Sequence, residues 1–223
     1  MKILLTGGSG LLGAELCSLY KDIVAPPRNA MDILNEKQCE NHIVKYDPDI
    51  VVHAAALISP PKCDKFPEVV RNINIVGTVN VVNICQRYDK KIVYISSDYV
   101  FDGEKGNYKE KDFVNPLHSY GLTKAAGEFA VRTYDNSLII RTSFCKKQFP
   151  YEKAFVDQYT SKDYIDVIAP MILETILSSK TGIVHIGTER KTIYELAKRR
   201  KPDVGKLKRD EVDLVIPYDT SFY

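Results

Sequence analysis

Three side chains in the middle of the chain, Ser97, Tyr120 and Lys124, have the chemical types needed to exchange a proton with a carbonyl or alcohol oxygen. Tyr120 and Lys124 lie four residues apart in a segment with helical spacing, so both fall on one face of a helix. A nearby ammonium favours the phenolate and is expected to lower the pKa of Tyr120 below the usual value of about 10. Ser97 follows an apolar strand candidate, where its hydroxyl could hold the oxygen while the phenol gives or takes the proton.

A tyrosine and a lysine with this spacing are also common on ordinary helices, so the catalytic interpretation needs a supporting motif. A glycine pattern near the amino terminus supplies one, because it joins an apolar run at residues 2–6 to helical spacing at residues 11–20. A strand-to-helix turn of this kind brings unpaired N–H groups and the positive end of a helix dipole towards a dinucleotide's phosphates. The residues predicted to form this cradle are Gly7, Gly10, Leu11, Leu12 and Gly13.

Strands and helices alternate along the chain, which predicts right-handed βαβ units and an α/β doubly wound parallel sheet, the NAD(P)-binding Rossmann fold. Apolar strand candidates are residues 2–6, 22–25, 50–53, 91–96, 138–141 and 183–186. Helical patterns are residues 11–20, 36–46, 68–88, 119–134 and 164–179. The glycine turn, Ala54–Ala56 and Ser97 all follow strand ends, the edge at which such sheets bind ligands.

Composition limits the remaining options. The chain has 223 residues, 44% of them hydrophobic and 27% charged, with a net charge of +2. These values fit one globular unit and predict neither a nucleic-acid partner nor a membrane partner. Five scattered cysteines without a C-x-x-C pair indicate reduced thiols, and four separated histidines predict no zinc site. A strand that starts at residue 2 is expected to leave no room for a signal peptide, which favours the cytoplasm.

The second strand candidate bears on cofactor choice. A site for NAD normally has an acidic residue at the end of this strand, to hold the ribose 2′-hydroxyl. Here the strand runs into Arg28, and the first acid is Asp32. An arginine suits a bidentate contact with a 2′-phosphate, although Arg28 could also be a solvated loop residue. NADP(H) is therefore favoured as the cofactor, and NAD(H) stays open.

These motifs resemble the extended short-chain dehydrogenase/reductase superfamily, and within it the dTDP-4-dehydrorhamnose reductase (RmlD-like) family. The Asp-Tyr-Val-Phe-Asp-Gly string at residues 98–103 is more diagnostic of this family than the glycines are. The resemblance covers residues 1–144 and continues weakly to the end of the chain. The matching segments are residues 6–13, 53–56, 74–80, 96–103, 115–116, 120–128, 141–144, 182–187 and 217–221.

The resemblance implies an NAD(P)H-dependent reduction of the C4 keto group of a nucleotide-linked 6-deoxy-4-ketohexose. It implies a cofactor-binding Rossmann core at residues 1–141 and a reduced substrate-binding region at residues 142–223, packed as one structural unit. Ser97, Asp98, Tyr120 and Phe144 would contact the substrate, with Ser97 at a position that is usually threonine and Phe144 where many members have tryptophan. The cofactor would contact Ala54, Ala55, Ala56, Asn74, Asp32, Ile33, Tyr120 and Lys124. His53 stands at a position that is frequently asparagine.

Two other functions fit the same residues. One is a bifunctional nucleotide-sugar epimerase/reductase. The other is a non-catalytic, NADP-binding regulatory subunit with the same fold, which the short carboxyl-terminal region favours and the complete Ser97, Tyr120 and Lys124 set opposes. A homodimer is an option that the sequence leaves open.

Overall fold

Six parallel strands form the central sheet in this computed structural model, which describes the backbone of residues 1–223 and the side chains of residues 1–59 and 63–223. The strands of the chain are β1 (Ile3–Thr6), β2 (Ile23–Val24), β3 (Ile50–His53), β4 (Lys91–Ile95), β5 (Ser137–Thr142), β6 (Phe144–Cys145), β7 (Lys153–Phe155), β8 (Tyr159–Thr160), β9 (Asp163–Tyr164), β10 (Gly182–Ile186), β11 (Lys191–Thr192) and β12 (Gly205–Leu207). The central order is β10-β5-β4-β3-β1-β2, and the other strands pair in twos. The prediction of a doubly wound parallel sheet is confirmed.

Helices cover both faces of this sheet. They are α1 (Leu11–Leu19), α2 (Glu36–Tyr46), α3 (Pro60–Lys65), α4 (Pro67–Arg71), α5 (Gly77–Arg87), α6 (Ser119–Val131), α7 (Ile165–Ile176) and α8 (Ile193–Lys198), with a π-helical turn at Asn72–Val76 and 3-10 turns at Asp98–Val100 and Arg209–Glu211. Helices α1 and α7 pack together on one face, while α2, α5 and α6 cover the other. Within the part that the structure describes, no helix combines the length and the apolar character needed to cross a membrane.

Successive side chains along each buried strand point to opposite faces of the sheet, and this alternation produces the two layers. In β1, Ile3 and Leu5 point towards α1 and α7, whereas Leu4 points towards α2 and α5. All three are at most 1% exposed, so neither face of the strand is left in water. Full burial of such a side chain stabilises the fold by about 1.5–3 kcal/mol. This two-sided burial explains why the strands read as continuous apolar runs instead of alternating ones.

The direction of the chain changes at β1. From β1 the chain moves to β2 on one side and then crosses to β3 on the other, so β1 lies between them. Connections that leave neighbouring parallel strands in opposite directions open a crevice beyond their carboxyl ends. Thr6 of β1 and His53 of β3 are paired at this edge. The glycine turn and Ala54–Ala56 therefore start on the two sides of one crevice.

One predicted helix is interrupted. The helical pattern at residues 68–88 is divided into α4, the π-helical turn Asn72–Val76 and α5. A π turn inserts an extra residue into the helical repeat and rotates the side chains before it relative to those after it. Asn74, inside the turn, is buried and hydrogen-bonded to the loop after β3. The physical reason for the interruption is this tertiary contact, which has no signature in the helical spacing.

The carboxyl-terminal residues do not form a separate layer. Strand β10 pairs with β5 and so completes the central sheet, although it lies beyond residue 142. The last residues then run back over the molecule, where Tyr108 N donates to Ser221 O at 2.8 Å and Tyr159 N donates to Tyr218 O at 2.7 Å. The final segment thus joins the loop after β4 to the strands before α7.

Candidate active site

A cavity of about 450 Å³ opens at the crevice between β1 and β3. Its walls come from the glycine turn, the loops after β2, β3, β4 and β5, the start of α6, and the segment before α7. Of the residues predicted as site residues, those that line it are Gly7, Gly10, Leu11, Leu12, Gly13, Arg28, Asp32, Ile33, Ala54, Ala55, Ala56, Ser97, Asp98, Tyr120, Lys124 and Phe144. Residues separated by up to 137 positions in the chain are thereby brought to one place.

The glycine turn can be tested for its fit to a dinucleotide. Gly7 has a φ of +80°, and a Cβ there would lie 2.7 Å from Ala55 N. A Cβ on Gly13 would lie 2.3 Å from the carbonyl oxygen of Gly7, so the helix and the turn touch directly. At Gly10 a Cβ would meet only the oxygen of Gly7, at 3.2 Å, and otherwise open space. The turn therefore leaves a free path at Gly10, as close approach of a pyrophosphate requires.

The amino terminus of α1 has the properties of an anion site. Its N-cap, Gly10, offers no side-chain hydrogen bond, and the first turn contains no acidic residue. The first N–H groups and the positive end of the helix dipole are thus available to a ligand, because no side chain of the helix caps them. Together with the open path at Gly10, this arrangement fits the phosphates of a dinucleotide.

A buried histidine holds the two sides of the crevice together. The hydroxyl of Thr78 donates to Asn74 O at 2.7 Å, so it accepts from His53 Nε2 at 3.0 Å. His53 Nδ1 then accepts from the hydroxyl of Thr6 at 2.7 Å, and Thr6 Oγ1 accepts from Ala55 N at 3.2 Å. Burial, and to a lesser degree Lys124, lowers the pKa of His53 to about 3, which keeps this ring neutral. We call these residues the His53 chain.

Ser97 and Asp98 form one wall of the cavity. The Ser97 hydroxyl donates to Asp98 Oδ1 at 3.1 Å and accepts from Tyr99 N at 3.2 Å. The other carboxylate oxygen of Asp98 accepts from Thr220 Oγ1 at 2.9 Å. Asp98 is only 3% exposed, so these two hydroxyls fix it in place.

Tyr120 stands at the start of α6, and its neighbours differ from the prediction. The expected lowering of its pKa by Lys124 is wrong for this structure. Burial raises the pKa of Tyr120 well above its ordinary value, Asp98 raises it further, and the nearby hydroxyl of Ser97 lowers it only in part. The phenol is therefore protonated at neutral pH, which is the form that gives a proton to an oxygen.

Lys124 also differs from the prediction, because burial destabilises its own charge. The ammonium lies 3.9 Å from the ring centroid of Tyr94 on β4 and is buried. Burial lowers the pKa of Lys124 to about 7, although the carboxylate of Glu128 opposes the shift. Glu128 itself forms a buried ion pair with Arg141, in which Glu128 Oε2 lies 2.8 Å from Arg141 Nη2. Lys124 is thus a titratable group near neutral pH, and its contact with the ring of Tyr94 has no signal in the local sequence.

The far end of the cavity carries the two residues named for cofactor choice. Arg28 Nε lies 3.6 Å from Asp32 Oδ2, and the guanidinium side chain is 73% exposed. An exposed pair of this kind is weak, so Arg28 can turn to another anion at little cost. Ile33 is buried beneath them against α5. Both charged groups line the cavity, so a 2′-phosphate and a 2′-hydroxyl would each find a partner.

The side chain of Asn74 does not lie where the prediction of a cofactor contact would place it. It is not among the residues that line the cavity and is only 1% exposed, so its side chain lies behind the cavity wall. Its amide accepts from Leu57 N at 2.8 Å, donates to Leu57 O at 3.0 Å and donates to Thr123 Oγ1 at 3.0 Å. The π-helical turn directs this side chain inward, so Asn74 joins the loop after β3 to helix α6.

Several lining residues were absent from the sequence prediction. Thr6, Ser96 and Thr142 lie at or just past strand ends, so the same strand-end argument could have found them. Lys162 lies between two short strands and has no local signal of this kind. The further residues that line the cavity are Gly8, Ser9, Pro26, Met31, Leu57, Ile58, Ile73, Ile95, Tyr99 and Ser143.

The parallel sheet, the glycine turn and the strand-end serine beside a tyrosine and a lysine define the class of extended short-chain dehydrogenase/reductase folds. Residues 1–199 match the family model described as the RmlD substrate binding domain, and the chain belongs to this family.

Individual relatives and structures agree with this family. The chain is 31% identical to dTDP-4-dehydrorhamnose reductase from Aggregatibacter actinomycetemcomitans over 180 residues, which are 77% of this chain and 61% of that protein. It is 28% identical to methionine adenosyltransferase 2 subunit beta from Bos taurus, over 88% of this chain and 70% of that protein. The structure resembles that of dTDP-4-dehydrorhamnose reductase from Bacillus anthracis in complex with NADP, with a TM-score of 0.91, 27% identity, and coverage of 100% of this chain and 91% of that chain.

The matched lengths differ between these relatives. The chain spans 61% of the reductase relative from A. actinomycetemcomitans and 53% of a second curated relative. The activity of a complete relative is therefore not carried over directly and has to be argued from this chain's own site.

Proposed function

We propose that the protein is an NADPH-dependent reductase of a nucleotide-linked 4-keto-6-deoxyhexose. The observation that carries the proposal is the meeting of Ser97, Tyr120 and Lys124 with the glycine turn in one cavity. Further support comes from the similarity to dTDP-4-dehydrorhamnose reductases, one of them in complex with NADP. NADH remains an alternative cofactor in this proposal, because Asp32 lies beside Arg28.

The two ends of the cavity have separate tasks in this proposal. The glycine turn, the amino terminus of α1 and Arg28 would hold the phosphates of NADPH, and Ala54–Ala56 would line its path. Residues 1–141 would thus bind the cofactor, and residues 142–223 would supply most of the surface for the sugar nucleotide. Bound NADPH would supply the hydride for the reduction of a carbonyl group.

The side chains of the chain itself supply the proton. Tyr120 holds it on the phenol oxygen, because burial keeps its pKa high. Ser97 would turn its hydroxyl hydrogen from Asp98 Oδ1 to the carbonyl oxygen and so bring that oxygen to the phenol. Lys124 lines the same cavity one helical turn further along α6, where its amine would hold a hydroxyl of the nicotinamide ribose.

The direct test is incubation of the protein with NADPH and a panel of nucleotide-linked 4-keto sugars. We expect reduced-cofactor absorbance to fall with at least one member of the panel. A protein that binds NADPH but consumes none with any keto sugar would favour the alternative of a regulatory subunit. The similarity to methionine adenosyltransferase 2 subunit beta is the observation that supports this alternative. The intact set of Ser97, Tyr120 and Lys124 is the observation against that alternative.

The first prediction tests the proton donor. Tyr120→Phe keeps the ring and its packing but removes the group that gives the proton, so we expect turnover to fall by about 10²–10⁴-fold with NADPH affinity unchanged. Single-turnover rates and an NADPH titration on the same preparation measure both quantities. Tyr46→Phe, on α2 and away from the cavity, is the matched control. Wild-type chemistry in Tyr120→Phe would show that the proton has another source.

A further inference from the structure

Lys162 is a cation in the cavity wall that the proposed mechanism does not use. It lies between β8 and β9, and its backbone N donates to Thr160 Oγ1 at 3.0 Å, which fixes the bend of the chain there. The residue is half-buried and lines the same cavity as Ser97, Tyr120 and Phe144. Asp98 and Tyr99 are among its neighbours, so it belongs to the end of the cavity where the sugar is expected.

The acid next to Lys162 in the chain is occupied by other groups. Asp163 Oδ2 accepts from Thr188 Oγ1 at 2.8 Å and from Arg199 at 3.2 Å, and Lys191 lies 3.7 Å away. Among the side chains of residues 1–59 and 63–223, none forms an ion pair or a hydrogen bond with the ammonium of Lys162. By contrast, the buried cations Lys191 and Arg141 both have carboxylate partners.

The charge of Lys162 is nevertheless retained. Burial lowers the pKa of Lys162, but Tyr99 and Asp98 raise it by more, so the pKa lies above its usual value. Lys124 shows the opposite behaviour in the same cavity, with a pKa of about 7. Among the described residues that line the cavity, one ammonium, that of Lys162, therefore stays charged at neutral pH, and one, that of Lys124, titrates.

The ammonium of Lys162 keeps its charge and donates to no described side chain, so an anionic ligand in the cavity can accept a hydrogen bond from it. The phosphates of the cofactor are assigned to the other end, at the glycine turn and Arg28. The substrate, which would occupy the end of the cavity beside Lys162, is therefore the ligand whose anionic group Lys162 would contact. Lysine binds phosphate as a point charge, and a sugar nucleotide carries phosphates next to its sugar.

We propose that Lys162 is a specificity-determining residue that pairs with a phosphate oxygen of the substrate's nucleoside diphosphate. This inference rests on the proposed function for the identity of the substrate, but its test does not depend on turnover. Lys162 would thereby select phosphate-bearing sugars over free sugars and would place the sugar against Phe144 and Ser97.

The competing explanation is that Lys162 only compensates the buried charge of Asp98. Asp98 accepts from two neutral hydroxyls, of Ser97 and Thr220, so a nearby cation would stabilise it. In that case Lys162→Met would lower the free energy of unfolding, and Asp98→Asn in the same chain would restore it. A role in ligand binding would instead leave stability nearly unchanged and lower affinity for phosphate-bearing ligands.

The experiment compares wild type, Lys162→Met and Lys180→Met by calorimetry on protein saturated with NADP⁺. Lys180 is an exposed lysine before β10, outside the cavity, and is the matched control. The probes are dTDP, and thymidine as the same nucleoside without phosphates. We expect Lys162→Met to weaken dTDP binding by about 10- to 100-fold, the range of a charged hydrogen bond, with thymidine unchanged. Lys180→Met should bind dTDP like the wild type.

Three results would overturn the proposal. The first is equal dTDP affinity in Lys162→Met and wild type, or no dTDP binding by either. The second is a loss of NADPH affinity in Lys162→Met that matches or exceeds the loss for dTDP, which would assign the cation to the cofactor. The third is a loss of stability that Asp98→Asn restores, with dTDP affinity restored as well. Failure of the proposed function would look different, because the wild type would then bind dTDP but reduce no keto sugar.

Discussion

At the scale of single residues, the pair formed by Arg28 and Asp32 lies where it would bear on the choice between NADPH and NADH. Their separation of 3.6 Å and the exposure of Arg28 describe a loose ion pair at the cavity rim. A 2′-phosphate would compete with Asp32 for the guanidinium, whereas a 2′-hydroxyl would be held by Asp32 itself. The two cofactors would thus use the two members of the pair in opposite ways.

Arg28→Ala should therefore weaken NADPH binding by about 1–3 kcal/mol, the scale of a hydrogen bond to a charged group, and leave NADH binding nearly unchanged. Fluorescence titrations of both cofactors measure the two affinities. Arg71→Ala, at an exposed position on α4, serves as the control. Equal losses for NADPH and NADH would remove Arg28 from the 2′-phosphate.

At the scale of elements, the His53 chain connects β1, β3 and the π-helical turn through one neutral ring. Protonation of His53 would place a second hydrogen on Nδ1, where the hydroxyl of Thr6 now donates. The pKa of His53 is lowered from 6.5 to about 3, so the folded protein binds this proton only in strong acid. Above pH 6.5 the ring is neutral in both the folded and the unfolded chain, and it makes no difference to stability.

Below pH 6.5 the unfolded chain binds a proton that the folded chain does not, so stability falls as the pH decreases towards 3. Between pH 7.5 and 5 this one group should cost about 2 kcal/mol of unfolding free energy. His53→Asn should remove that part of the pH dependence, as urea unfolding at both pH values will measure. His42→Asn, on α2, should keep the wild-type dependence. If the unfolding free energy of His53→Asn changed with pH as much as that of the wild type, the ring of His53 would be protonated in the folded protein without cost.

The sequence predicted the strands of this chain better than its interrupted helix. Continuous apolar runs mark buried parallel strands, and the six candidates all appear in the central sheet. The π-helical turn was not predictable, because Asn74 is drawn inward by Leu57 and Thr123, which are far away in the chain. Likewise, the four-residue spacing placed Tyr120 and Lys124 on one face of the helix. The ring of Tyr94 that contacts the Lys124 ammonium comes from β4. Local spacing reports which residues share a face and does not report what faces them.

At the scale of the whole molecule, the carboxyl-terminal segment reaches the chemistry-bearing wall. Thr220 lies 122 positions from Asp98 in sequence, yet its hydroxyl donates to Asp98 Oδ2 at 2.9 Å. Asp219, in the same segment, forms an ion pair with Arg190, in which Asp219 Oδ2 lies 2.7 Å from Arg190 Nε. No local pattern could predict such a contact, since it exists only when β10 has joined the sheet and the tail has turned back. Location in the cytoplasm, a homodimer and the division at residue 141 remain predictions from the sequence.

The contact of Thr220 with Asp98 leads to the last prediction. Thr220→Val keeps the shape of the side chain but removes the hydroxyl, and Thr220 is only 1% exposed, so water cannot readily replace it. Asp98 would then depend on Ser97 alone for a side-chain hydrogen bond, so the Ser97 hydroxyl would be less readily released from the carboxylate to a substrate oxygen. We expect turnover of a keto sugar nucleotide to fall by about 3–10-fold, because a displaced positioning group misaligns the reacting oxygen.

The unfolding free energy of Thr220→Val should decrease by about 1–3 kcal/mol, the cost of a buried acceptor that loses a partner. NADPH affinity should stay at the wild-type value, because Thr220 does not line the cavity. Thr133→Val, which removes an exposed hydroxyl bonded only to Ala130 O, controls for the substitution itself. Steady-state rates, urea unfolding and an NADPH titration separate the three quantities. Wild-type turnover in Thr220→Val would show that Ser97 is oriented without the tail, and the carboxyl-terminal segment would then serve the stability of the fold alone.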